Sequence, residues 1–182
     1  MSQLIISQSY LIEKSVITSN TDFKYITPVI DWVQKLKLRP LLGTDLYNQI
    51  MTQSTPTTSL SAANLIIMND YILDYLTYYI MSECVMTLRY KYTNIGVVVR
   101  GTADLQAITK EEAADLRDFY KNKAEEFGQL MINYIKNNQN LYPAYFTNSG
   151  ADIVPNKDSY EVDIYLPNGI KYLANDAGEL HD

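Results

Sequence analysis

The stretch "DYILDYLTYYIMSECVMTLRYK", residues 70–91, decides the fold. Ile72, Tyr75, Leu76, Tyr79, Ile80, Glu83 and Met86 recur at spacings of three and four, and apolar side chains occupy much of the circumference. That pattern predicts a central helix with several neighbours, running from about Ala62 to Lys91. Asn69-Asp70 marks a kink or a junction between two helices. The most apolar part, Leu65 to Leu88, is interrupted by Asn69, Asp70, Asp74 and Glu83. A membrane span does not carry four such groups at those depths, so a soluble protein is expected.

Downstream lies "YTNIGVVVRGTADLQAIT", residues 92–109, which carries the turn signals of a loop around Val97-Val98-Val99. Two readings follow. The valines fold back and bury on the helices, or they meet a neighbour, as a short strand added to an edge, with Gly96 and Gly101 permitting the turns and Arg100 as a charged anchor. Thr109 with Glu112 then makes a capping box for a helix to about Asn137, closed by Asn137-Asn138 and Pro143. Its apolar stripe is Ala113, Leu116, Tyr120, Ala124, Phe127, Met131 and Tyr134.

Upstream, Ser7 caps "QSYLIEK", and Thr27-Pro28 starts a helix with Val29, Trp32, Val33 and Leu36 on one face. Pro40 is expected to end it. In "RPLLGTDLYNQI", residues 39–50, Gly43 permits a turn and Thr44 caps a helix to about Gln53, with Leu42, Leu46 and Ile50 on one stripe. Pro40, Gly43 and Thr44 are therefore assigned to a fold corner. Ser61 caps the central helix. The start, "MSQLIISQSY", lacks the basic region and apolar core of a signal peptide.

From Asn148 the helical period stops. "SYEVDIYLPNGIKYL" alternates Tyr160, Val162, Ile164 and Leu166 against Glu161, Asp163 and Tyr165, then turns at Pro167-Asn168-Gly169 and returns through Ile170 and Tyr172. A β-hairpin at about 160–173 is predicted, in need of a surface to lie on. Seven carboxylates against Lys157 and Lys171 give this arm −5 of the chain's −6. The expected architecture is an all-α bundle of four to five helices over residues 1–147, with an acidic arm over 148–182.

Chemistry is sparse. The net charge of −6 argues against a general nucleic-acid binder. The single histidine, His181, is the penultimate residue, and without a second His or Cys no zinc cluster is expected. No phosphate loop or nucleophile elbow occurs. Glu83, on an apolar helix, is read as a core carboxylate, Cys84 as packing, and Asp70 with Asp74 as a solvated face. No catalytic residue, cofactor or metal site is predicted. Sixteen tyrosines against four Phe and one Trp suit half-buried or assembling surfaces, or reflect a compositional habit.

A resemblance joins these pieces. "ISQSYLIEKSVI", "NTDFKYITPVIDWVQ", "RPLLGTDLYNQI", "DYILDYLTYYIMSE" and "YKYTNIGVV" resemble, in the same order over about Ile5 to Tyr145, the head-to-tail connector (neck or adaptor) proteins of Bacteroidota phages, including crAss-like phages. "PLLGTDLY" with "NIGVV" downstream is the most specific pair. The resemblance implies a non-enzymatic virion protein, made in the host cytoplasm, that forms a ring, often twelvefold, beneath the portal. The partners it implies are further copies, the portal, the next neck or tail ring, and genomic DNA sliding through without sequence-specific binding. It places Val97, Val98, Val99 and Arg100 at a neighbour or the portal. The arm, with Tyr160, Val162, Ile164, Leu166, Ile170 and Tyr172, would reach out of the ring. A second reading of the residues is a cytosolic ligand-binding or regulatory protein of small oligomeric state, with Glu83 and tyrosines lining a pocket.

Overall fold

A computed structural model describes residues 3–54, 59–94, 96–99, 108–147, 149–150 and 152–155. The fold is an all-α bundle, as the periodicities predict. Helix α1 spans Gln8–Lys14, with the Ser7 hydroxyl accepting from the Tyr10 amide. Helix α2, Thr27–Val33, starts one residue earlier than expected: Ile26 is the cap, and the Thr27 hydroxyl donates back to Phe23 O at 2.9 Å. A π-helical turn, Gln34–Leu38, leads into α3, Arg39–Gln53. Ala62–Ile67 (α4), a second π turn at Met68–Ile72, and Leu73–Arg89 (α5) make the central helix. Its partner α6, Lys110–Asn137, begins at the predicted Thr109–Glu112 capping box. A 3-10 turn at Gln139–Leu141 precedes the single-turn α7, Pro143–Phe146, so Pro143 opens an element instead of closing one.

The two π turns explain where simple periodicity fails. At the first, the Arg39 amide bonds to Gln34 O, five residues back. An α-helical Pro40 would clash with the carbonyl of residue 36 and lack its own donor; widening the turn by one residue relieves this. The helix therefore passes through Pro40 and breaks only at Gly43, against expectation. The extra residue also rotates the following side chains, so Leu36 is 64 % exposed while Leu38 is fully buried. At the second, Asn69-Asp70 lies inside the π turn that joins α4 to α5. Leu65 and Ile66 are exposed there, while Ile67, Met68 and Ile72 are buried.

The core lies where α5 packs on α6, flanked by α2, α3 and α7. Gly128 allows the closest approach: a Cβ there would meet the Tyr75 ring at 3.0 Å and Leu41 Cδ2 at 3.4 Å. Several tyrosines serve inside the fold. Tyr75, Tyr142 and Tyr145 are nearly or fully buried, the Tyr142 hydroxyl donates to Ala63 O at 2.7 Å, and Tyr134 stacks on Tyr71 with ring centroids 5.0 Å apart. Gln34, buried in the first π turn, accepts from the Ile5 amide at 2.6 Å and donates to Gln3 O at 3.2 Å. It thereby pins the N-terminal segment.

Ser82 is 1 % exposed, and its hydroxyl has no hydrogen-bond partner among the described residues. A buried, unmatched hydroxyl carries its desolvation cost without return. Ser82→Ala is accordingly expected to leave stability unchanged or to raise it by about 1 kcal/mol in denaturant titration. A loss of similar size would show that the hydroxyl is satisfied in solution.

Candidate functional site: a docked strap and an exposed valine hairpin

The predicted corner has an occupant that sequence reasoning did not foresee. Residues 149–150 and 152–155, the described part of the arm, lie across the first turns of α3 as a strap. Arg39 Nη2 reaches both carboxylate oxygens of Asp152, at 2.9 and 3.0 Å. The Thr44 hydroxyl, expected to cap its own helix, donates to Asp152 Oδ1 at 2.5 Å, and the Thr44 amide donates to Ile153 O at 2.9 Å. Asp45 accepts from the Ser149 hydroxyl at 2.5 Å and the Ser149 amide at 3.1 Å. Gly43 sits under Pro155 with φ of 72°; a Cβ there would lie 2.5 Å from Pro155 Cδ. The glycine is thus required twice, for a left-handed backbone and for room.

The bonds of the strap set its electrostatics. The Thr44 hydroxyl, with the Arg39 guanidinium, holds the Asp152 carboxyl below the usual carboxylate range. The Ser149 hydroxyl and amide do the same for Asp45. Both folded values lie below the unfolded ones. The strap's share of stability is therefore full above about pH 4 and is lost as pH falls through the folded values. Hydrogen exchange at the Thr44 amide, corrected for its intrinsic pH dependence, is expected to lose protection below about pH 4. Protection that stays flat to pH 2 would contradict this.

The valine stretch is a strand. β1, Tyr90–Thr93, continues from α5 and pairs antiparallel with β2, Gly96–Val99, in the register 90↔99, 91↔98, 92↔97 and 93↔96. The central helix accordingly stops at Arg89, two residues short of expectation. Val97, Val98 and Val99 are 56, 40 and 48 % exposed, so they do not fold back onto the described body. Arg100 and the arm residues Tyr160, Val162, Ile164, Leu166, Ile170 and Tyr172 lie outside the described residues, as does His181.

At the same end of the bundle an apolar groove of about 370 Å³ opens between the chain near Ile17, the last turns of α5 and the start of α6. Met81, Cys84, Leu88, Leu116 and Tyr120 line it. Burial, with the Glu83 charge adding, pushes the Cys84 thiol up to about 12, which keeps it protonated and unreactive at neutral pH. Glu83 is half-buried, Asp70 is exposed and Asp74 half-exposed. Among the described residues no group of three or more His, Cys, Asp and Glu gathers closely enough to hold a metal ion, and no helix is long and apolar enough to cross a membrane.

Arg39, Asp45, Ser149, Asp152 and Pro155 are the residues that sequence reasoning missed. Each contact joins polar or turn residues more than a hundred positions apart, and no local period marks such pairs. No curated protein and no solved structure matches the chain. A family model does match, over residues 38–154, so its span opens one residue before Arg39 and closes within the strap. By that match the chain belongs to DUF6712, a family of unknown function.

Proposed function

We propose that this protein is a structural, non-enzymatic ring component that joins a phage head to its tail beneath the portal. The observation that carries the reading is the β2 strand with three exposed consecutive valines at one end of a well-packed bundle. Such a surface is unfavourable in an isolated chain and useful in an assembly. The docked strap adds a fixed point of departure for the acidic arm, which suits a subunit that must reach a neighbour. The resemblance to phage connectors supplies the address, and the net charge of −6 suits a wall along which DNA slides. Mixing the purified chain with its candidate portal and imaging by negative-stain electron microscopy tests the proposal. A ring of added density at the portal's outer end is expected; bare portals at saturating protein would overturn it.

The groove favours a second reading, a small-molecule binding or regulatory protein. Its walls carry Cys84 and Tyr120 rather than the Glu83 expected from sequence. That reading predicts thermal stabilisation by an apolar ligand and a small, discrete oligomer.

A further inference from the structure

We propose that two copies of the chain pair antiparallel along the outer face of α6. The proposal goes beyond the ring reading. A closed ring joins unlike patches head to tail, whereas this contact joins like with like and needs no portal. Three observations carry it.

The first is an exposed heptad seam. Leu116, Phe119, Lys123, Glu126, Leu130 and Asn133 follow one another at alternating spacings of three and four. The large apolar side chains that α6 leaves exposed, Leu116, Phe119 and Leu130 at 39, 55 and 53 %, all stand on it. At about 3.6 residues per turn the seam lies roughly 130° round the helix from Ala124, Gly128 and Met131, which α6 buries in the core. The helix thus carries two apolar faces, and its own bundle covers one of them.

The second is the symmetry of the seam. A two-fold axis between Ala124 and Glu125 sets Phe119 of each copy against Leu130 of the other, and Lys123 of each against Glu126 of the other. Leu116 against Asn133 closes either end. Within one chain Lys123 Nζ stands 2.8 Å from Glu126 Oε2, so the centre of the seam is neutral and offers each charge an opposite one across the axis. Charged groups at such positions cost stability but fix register and orientation. Parallel pairing would instead set lysine on lysine and glutamate on glutamate.

The third is the flanks. Tyr120 and Phe127 run along one side of the seam and Asn122 and Gln129 along the other, none of them charged. Phe127 stacks on Tyr78 of α5 with ring centroids 5.5 Å apart, and Phe119 meets Tyr120 edge-on at 5.4 Å. The aromatic flank is therefore in place before a partner arrives, which lowers the cost of association.

Sedimentation velocity of the full chain tests the pairing. The seam is only about 26 Å long, so a weak contact is expected, with the mass rising from 20.8 kDa toward twice that value between about 1 and 300 μM. Lys123→Glu and Glu126→Lys, each alone, set like charges across the axis and should raise the concentration needed by roughly tenfold or more. An equimolar mixture of the two variants restores opposite charges and should pair as wild type does. Disulfide trapping in a Cys84→Ala background reads the orientation. A tagged Phe119→Cys chain with an untagged Leu130→Cys chain should give tagged–untagged dimers under mild oxidation. Either chain alone should give roughly tenfold less, because its two cysteines would stand about 16 Å apart along the axis. The substituted positions are exposed or half-exposed, and circular dichroism checks that each variant keeps its helices. A monomer at every concentration, dimers indifferent to the charge variants, or disulfides as abundant from either chain alone would each overturn the pairing. A chain that stays monomeric yet adds to the portal rejects the pairing and leaves the ring reading.

Discussion

Replacing Gly43 with valine is expected to displace the strap and destabilise the fold by about 2–4 kcal/mol, the sum of a left-handed backbone forced on a β-branched residue and a steric clash. The backbone there has φ of 72°, and the new Cβ would fall 2.5 Å from Pro155 Cδ and 2.9 Å from its nitrogen, which cannot yield without moving the strap. For a chain of this length the midpoint of thermal unfolding should fall by about 10 °C. Pro155→Gly in the same chain removes the side-chain part of the clash but neither the contact with the residue-155 nitrogen nor the backbone strain, so the double variant should regain only part of the loss. The Thr44 amide, bonded to Ile153 O, reports the strap itself and should lose its exchange protection in Gly43→Val. An unchanged midpoint with retained protection would mean that the strap does not dock on Gly43 as described.

The second large effect concerns assembly and leaves the monomer intact. Val97→Lys, Val98→Lys and Val99→Lys together are expected to abolish binding to the portal or to further copies. The midpoint of unfolding should move by no more than about 5 °C, because surface substitutions without buried partners rarely exceed about 0.5 kcal/mol each. The exposures of 56, 40 and 48 % mean that little apolar burial is forfeited inside the chain. Three like charges on an edge strand are at the same time the device by which sheets refuse new strands. Circular dichroism melting beside a portal pull-down checks both halves. A large fall in the midpoint would show that the valines belong to the monomer's own core, and unimpaired binding would place the contact elsewhere.

What the sequence revealed were the features with a local physical signature. The caps at Ser7 and Ser61 and the Thr109–Glu112 box each satisfy amides within three residues, so their spacing is visible in the chain. Leu42, Leu46 and Ile50 stand at helical spacing and are all fully buried. The π turns left no such trace, since inserting one residue changes the phase without changing composition. Leu36 was therefore assigned to the wrong face, and Pro40 was taken for a terminator. Val97–Val99 carried the correct alarm, an apolar run between turn signals. Their pairing with residues 90–92 stayed hidden because "RYKY" continues the helical pattern of α5. The corner at Gly43 was legible as a turn but not as a receptor. The partners Asp152 and Pro155 are individually unremarkable, and only folding brings them to Arg39 and Gly43. The predicted hairpin at about 160–173 lies outside the described residues, and so does every arm residue in the expected interface.

The central claim, that the protein builds a ring on a portal through its exposed valine strand, is tested most directly by mass photometry of the portal mixed with wild-type chain and with the Val97→Lys, Val98→Lys, Val99→Lys chain. The account predicts one discrete added mass for wild type, about 250 kDa if twelve chains of 20.8 kDa join, and none for the variant. A portal peak that does not move with wild-type protein, or that moves equally with the variant, would contradict it.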